Sequence, residues 1–235
     1  MKSGLKLFGN LVLFLVLINS VVRAGDCAEV KLSGLYRGFP AVAQFGAATG
    51  EAYVFSGSSS GDVYRGWIGT QSPAAFDFAR ARAKEPDKTG KYVANGDKIT
   101  FRWSNAQSES ASFRYTCDAK GEITMSVGSL FFYKIVAWGK FLDGTFSPAT
   151  YQGGFADLKP HVPAIVDQIT FTPNGNFTIT EDSGKTTKGN YKVLGAELTL
   201  VLSNNETRTY SLHVFANSKT PQNTVLIDGR PFNKS

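Results

Sequence analysis

An all-β fold of antiparallel sheets follows from three features of the sequence. A sixteen-residue stretch occurs twice without a gap, as GKYVANGDKITFRWSN from Gly90 to Asn105 and as GNYKVLGAELTLVLSN from Gly189 to Asn204, 99 residues later. Apolar residues recur at every second position over short runs, the period of a half-buried strand. Asn-Gly, Asp-Gly and Ser-Asn pairs separate those runs and favour tight turns. The expected architecture is two tandem copies of a meander, barrel-like or sandwich, with a signal peptide at 1–24, a first β repeat at 25–140 and a second at 141–235.

The duplicated stretch reads as a hairpin. Six of its sixteen positions are identical, and Ile99, Phe101 and Trp103 stand opposite Leu198, Leu200 and Leu202. These side chains point to one face, and Lys98, Thr100 and Arg102 to the other. Gly96 and Gly195 precede the strands where a tight turn needs positive φ. Phe78 matches Phe177 at the same offset, which extends the expected match to 78–115 against 177–214. Upstream, Leu32 to Tyr36 resembles Leu142 to Phe146 at an offset of 110, so about eleven extra residues are expected in the first copy, within Phe39 to Ala52.

In chain order, Lys2 and Lys6 precede the apolar run Leu11 to Ile18 and the small-residue site Val22-Arg23-Ala24, the pattern of a secretory signal cleaved after Ala24. The run is far shorter than the ~20 residues of a spanning helix, so no transmembrane segment is expected after cleavage. Asp26 before Cys27 does not fit a lipoprotein signal. Loss of the signal takes the 25 basic residues to 22 against 19 acidic ones, a balance of +3. Basicity is therefore largely the signal's own, and the location expected is secreted or periplasmic. Cys27 and Cys117 in an exported chain imply one disulfide.

Short aromatic runs, Gly34 to Phe39, Ala52 to Phe55 and Val63 to Ile68, read as strands. Ala81 to Lys91 is rich in charge and reads as a solvated turn. Glu122 to Phe141 reads as a strand buried on both faces, at the seam between the copies. Thr150 to Asp167 has no clean period and is a long connection. Strands follow at Gln168 to Thr172, Asn176 to Thr180, Arg208 to Phe215, and Thr224 to Phe232 around Asp228-Gly229.

No catalytic set emerges. Gly57 to Gly61 fits G-x-S-x-G, with Ser59 as nucleophile and His161 or His213 as base, but that elbow needs a following helix, and Asp62 to Ile68 reads as strand. Two histidines 52 residues apart, with both cysteines assigned to a disulfide, draw no zinc spacing. His213 alternates with Leu212 and Val214 as a sheet-face histidine. The basic and aromatic residues of Tyr64 to Trp67, Phe101 to Trp103 and Phe113 to Tyr115 interleave as in single-strand nucleic-acid binders. Strand alternation sends aromatics inward and arginines to water instead, so no nucleic acid is expected, and no cofactor or metal. Asn176, Asn205 and Asn233 begin glycosylation sequons, relevant in a eukaryotic source.

The Gly-x-aromatic start of each copy, Gly34 to Tyr36 and Gly144 to Phe146, with hairpins ending in Ile227-Asp228-Gly229-Arg230-Pro231-Phe232, resembles the lipocalin-like β proteins exported by bacteria, clearest over 141–235. Lipocalins proper carry Gly-x-Trp there and a Thr-Asp-Tyr signature that this chain lacks. The resemblance implies a barrel and an apolar ligand. The function expected is a non-enzymatic binding protein for a small apolar or amphipathic ligand. Apolar residues in the irregular segments, Phe45, Phe155 and Ile165 with His161, are the expected binding residues. The alternative is an envelope or extracellular structural or interaction protein that uses the apolar aromatic strand at 130–138.

Overall fold

The computed structural model describes residues 30–40, 51–57, 61–118, 122–149, 168–181, 183–216, 218 and 220–235. Among these residues the alternating runs form sixteen antiparallel strands. The first eight are β1 (Ser33–Pro40), β2 (Ala52–Ser56), β3 (Asp62–Arg65), β4 (Thr89–Asn95), β5 (Lys98–Trp103), β6 (Ser108–Cys117), β7 (Ile123–Val127) and β8 (Leu130–Ala137). Each pairs with the next, and β1 also pairs with β8, from Leu35 opposite Ile135 to Pro40 opposite Leu130, so the eight close into a ring. The second eight are β9 (Gly144–Pro148), β10 (Gln168–Phe171), β11 (Asn176–Thr180), β12 (Thr186–Leu194), β13 (Glu197–Leu202), β14 (Thr207–Phe215), β15 (Thr224–Ile227) and β16 (Arg230–Lys234). They close in turn through β16 on β9. The fold is thus all-β and barrel-like, and closure abolishes the edge strands that would otherwise recruit another chain.

An eight-stranded ring is just wide enough for side chains to fill. In the first, Tyr53, Phe101 and Trp103 stack at 5.3 and 5.4 Å, and Phe55 meets Tyr92 edge-on at 4.9 Å. In the second, Phe171 meets Tyr191 edge-on at 4.9 Å, with Leu198 and Leu200 fully buried beside them. The middles of both rings are packed cores.

The two matched segments occupy corresponding places, β4 to β6 in one ring and β12 to β14 in the other. Their shared residues have physical reasons. A Cβ at Gly90 would overlap the carbonyl oxygen of Arg102, and one at Gly189 that of Val201, so at both places the neighbouring strand comes so near that only glycine fits. Gly96 and Gly195 both take φ of +59° in two-residue turns. Asn105 accepts the Gln107 N–H at 3.1 Å, and Asn204 that of Glu206 at 3.0 Å. Ile99, Phe101, Leu198 and Leu200 are all buried.

Several expectations are corrected. Phe78 does not correspond to Phe177: it begins helix α1 (Phe78–Lys84), whereas Phe177 lies in β11 and in the second core. The charged segment read as a turn is a turn only over 85–88: residues 81–84 belong to the helix, because Asp77 caps it and Ala, Arg and Lys favour that conformation, and 89–91 already belong to β4. The extra length of the first ring also belongs here, since residues 66–88 join β3 to β4 while 181–185 join β11 to β12. Glu122 to Phe141 is two strands, Gly128, at φ of +59°, turning β7 into β8, and it is not buried on both faces, since Phe131 and Val136 are exposed. Finally, Arg65 pairs with Tyr53 on the inner face and lies 4.7 Å from the Trp103 ring, held by Glu109 at 3.1 Å, whereas Arg102 does face solvent.

The rings meet where the end of β8 lies along β14, Ile135 opposite Phe215 and Ala137 opposite His213. Outward-facing Leu35, Phe39 and Val54 pack there with Phe215, Leu226 and the residues after β3, forming a third apolar cluster outside both rings.

Candidate binding site

The connection from β3 to β4 builds a groove on the outside of the first ring. Asp77 accepts the Arg80 N–H at 2.9 Å and starts α1, whose Ala81 is buried against the ring. Ahead of the helix Pro73–Ala75 makes one 3₁₀ turn, which brings Phe76 back over the outer face of β3. There its ring lies 4.8 Å from Tyr64 and 4.9 Å from Phe78. Between these elements lies an open groove of about 340 Å³. Its apolar surface comes from Tyr64, Trp67, Ile68 and Phe76, and α1 contributes Arg80 and Lys84 to the rim.

The groove's acids are already engaged. Glu85 accepts the Tyr64 hydroxyl at 2.8 Å and Lys88 Nζ at 2.6 Å. Lys88 and Tyr64 together hold its carboxyl below the usual range, while burial first and Glu85 second push the Tyr64 hydroxyl up. Tyr64 thus stays protonated and neutral, its hydroxyl fixed by Glu85.

Trp67 links the groove to the second ring. Its indole meets the His213 ring edge-on at 5.2 Å, and the Arg37 guanidinium carbon lies 5.7 Å from its centre. Arg37 and His213 are each 2% exposed, one on the outer face of β1 and the other on that of β14. Burial lowers Arg37 to about 10 and His213 to about 4, so His213 is neutral at physiological pH. Among the described residues, the Nε1 of Trp67 and the Nδ1 of His213 are buried without a hydrogen-bond partner. Gly229 takes φ of +74° in the β15–β16 turn, beside Trp67 and Arg37, and it is this backbone conformation that calls for glycine there.

The residues expected to bind ligand, Phe45, Phe155, His161 and Ile165, lie outside the described residues, as do Ser59, Cys27 and the signal segment. Cys117 ends β6 beside the first core. His213 is a sheet-face histidine, as its alternation implied, but its face is the covered seam. Trp67, Phe76 and Arg80 were missed. Asp77 ahead of Ala-Arg-Ala-Arg-Ala-Lys-Glu is a legible helix start, in a run whose charges suit a solvated turn equally well.

A second groove, of about 430 Å³, lies across β11 to β13 between Asn176, Lys188 and Asn205. Within it Asn190 donates to Asn176 at 2.7 Å. Among the described residues no cluster of three His, Cys, Asp or Glu stands ready for a metal, and no helix is long and apolar enough to cross a membrane. No family model matches this chain, and no match is found among curated proteins or solved structures.

Proposed function

We propose that this chain is an exported, non-enzymatic binding protein, built from two copies of one lipocalin-like unit, that takes a small apolar or amphipathic ligand in the groove between β3 and α1. The observation that carries the reading is an asymmetry. Both rings have packed aromatic or aliphatic centres, and the first alone carries the 66–88 connection, with an aromatic groove beneath it. A carrier with filled barrels has to hold its ligand outside them, and a volume of about 340 Å³ lies within the range of small-molecule sites. The apolar run Leu11 to Ile18 supports export.

A second reading, an interaction protein that uses β8, draws on the exposed Phe131 and Val136. Much of that strand's outer face is already covered, since Ile135 is buried and Tyr133 packs into the seam. The groove is therefore the better candidate.

Titration with the uncharged, environment-sensitive dye prodan tests the proposal. One saturable site that disappears in Phe76→Ala, with the circular dichroism spectrum unchanged, is the expected result. Absence of saturable binding, or binding that Phe76→Ala leaves intact, overturns it and favours the interaction reading.

A further inference from the structure

We infer that the groove selects an anionic amphiphile, its carboxylate held by Arg80 and Lys84 and its apolar part laid on Tyr64, Trp67 and Phe76; this rests on the groove being the ligand site. The argument is one of charge complementarity. Helix α1 carries three cations, Arg80, Arg82 and Lys84. Arg82 points away from the groove and pairs with Asp62 at 2.6 Å, a carboxylate that Lys91 also reaches at 3.1 Å. Arg80 and Lys84 stand four residues apart, one turn above the other on the groove side. Neither has a carboxylate within ion-pair distance among the described residues.

The two acids at the rim do not answer this charge. Asp77 is directed to the backbone N–H of Arg80 as the helix cap, and Glu85 is committed to Lys88 and Tyr64, with Lys84 contributing only as a weaker, more distant charge. Like charges one turn apart repel each other, and an anion between them converts that repulsion into two attractions. The guanidinium fork of Arg80 suits the two oxygens of a carboxylate, and Lys84 adds a mobile point charge. The same groove is lined by Tyr64, Trp67, Ile68 and Phe76, so the complementary molecule has an acid head and an apolar body.

Decanoate and decanol, identical but for the head group, separate the two questions. Both should bind to the wild-type protein, decanoate about tenfold more tightly or better. The preference should vanish in Arg80→Gln/Lys84→Gln, persist in Arg82→Gln, and shrink at high ionic strength. Equal affinity of wild-type protein for the two probes, or a preference that Arg82→Gln abolishes equally well, overturns the anionic selection while leaving the groove as a ligand site. Failure of both probes to bind removes the site itself and this inference with it. The three residues are exposed, so unchanged thermal melting of the variants keeps the comparison free of folding effects.

Discussion

The Tyr191 hydroxyl donates to the carbonyl oxygen of Leu142 at 2.7 Å and accepts the N–H of the same residue at 3.0 Å. The first ring has the same contact, Tyr92 to the Leu32 carbonyl at 3.3 Å. In each ring a tyrosine of the fourth strand thereby anchors the leucine that precedes the first, and that leucine is itself buried in the core. Beyond it Gly34 and Gly144 take φ of +98° and +111°, the positive values at which the chain swings into its strand. Tyr191→Phe should lose about 1–3 kcal/mol of stability in urea unfolding, because both backbone groups of Leu142 lose a buried partner. No loss would show that water takes the hydroxyl's place.

Gly189 and Gly195 are both glycines of the matched segment, but their substitution should differ in size. Gly195 lies in open space at positive φ, so Gly195→Ala meets only the left-handed backbone penalty of about 1–2 kcal/mol. In Gly189→Ala the new Cβ meets the Val201 carbonyl and the Phe177 ring, and β12 must part from β13, at about 3 kcal/mol or more. Paired urea melts check the order, and equal losses would refute the close approach at Gly189.

His213 should make stability depend on pH between neutrality and acid. Burial lowers its pKa from 6.5 to about 4 in the folded protein, so below pH 6.5 the unfolded chain takes up a proton that the folded one refuses. The contribution is complete above pH 6.5 and declines as pH falls toward 4, by about 2 kcal/mol at pH 5 and about 3 kcal/mol in full. The other ionisable group at Trp67, Arg37, keeps its charge throughout this window. His213→Phe should flatten the stability difference between pH 7.5 and pH 5 relative to wild type. An unchanged slope would mean that His213 gains a proton partner in solution.

Cys27 and Cys117 are expected to be joined in the exported protein. The unfolded, unreduced chain should then show no reactive thiol, and reduction should expose two. On the chain-entropy model, closing a loop of about ninety residues stabilises by at most ~4–5 kcal/mol. Two thiols titrating before reduction would dispose of the pairing.

What the sequence determined by itself was local. Alternation, the Asn-Gly and Asp-Gly turns and the matched glycines specify strands and hairpins, because side-chain direction and backbone φ are set within a few residues. Leu198, Leu200, Ile99 and Phe101 were legible as core on the same ground. Closure was not legible: β1 meets β8 across about a hundred residues, and β9 meets β16 across a similar gap, with a register that only the packed interiors select. Nor was the groove. Tyr64, Trp67, Phe76 and Arg80 belong to a strand end, a loop, a turn and a helix, and no period relates them. Arg65 reverses the expected alternation because, at the ring's end, its guanidinium can lie on Trp103 and still reach Glu109. His213 could be placed on the outer face of its strand from its neighbours, but whether that face met water or Trp67 depended on how two closed rings pack, which no local pattern encodes.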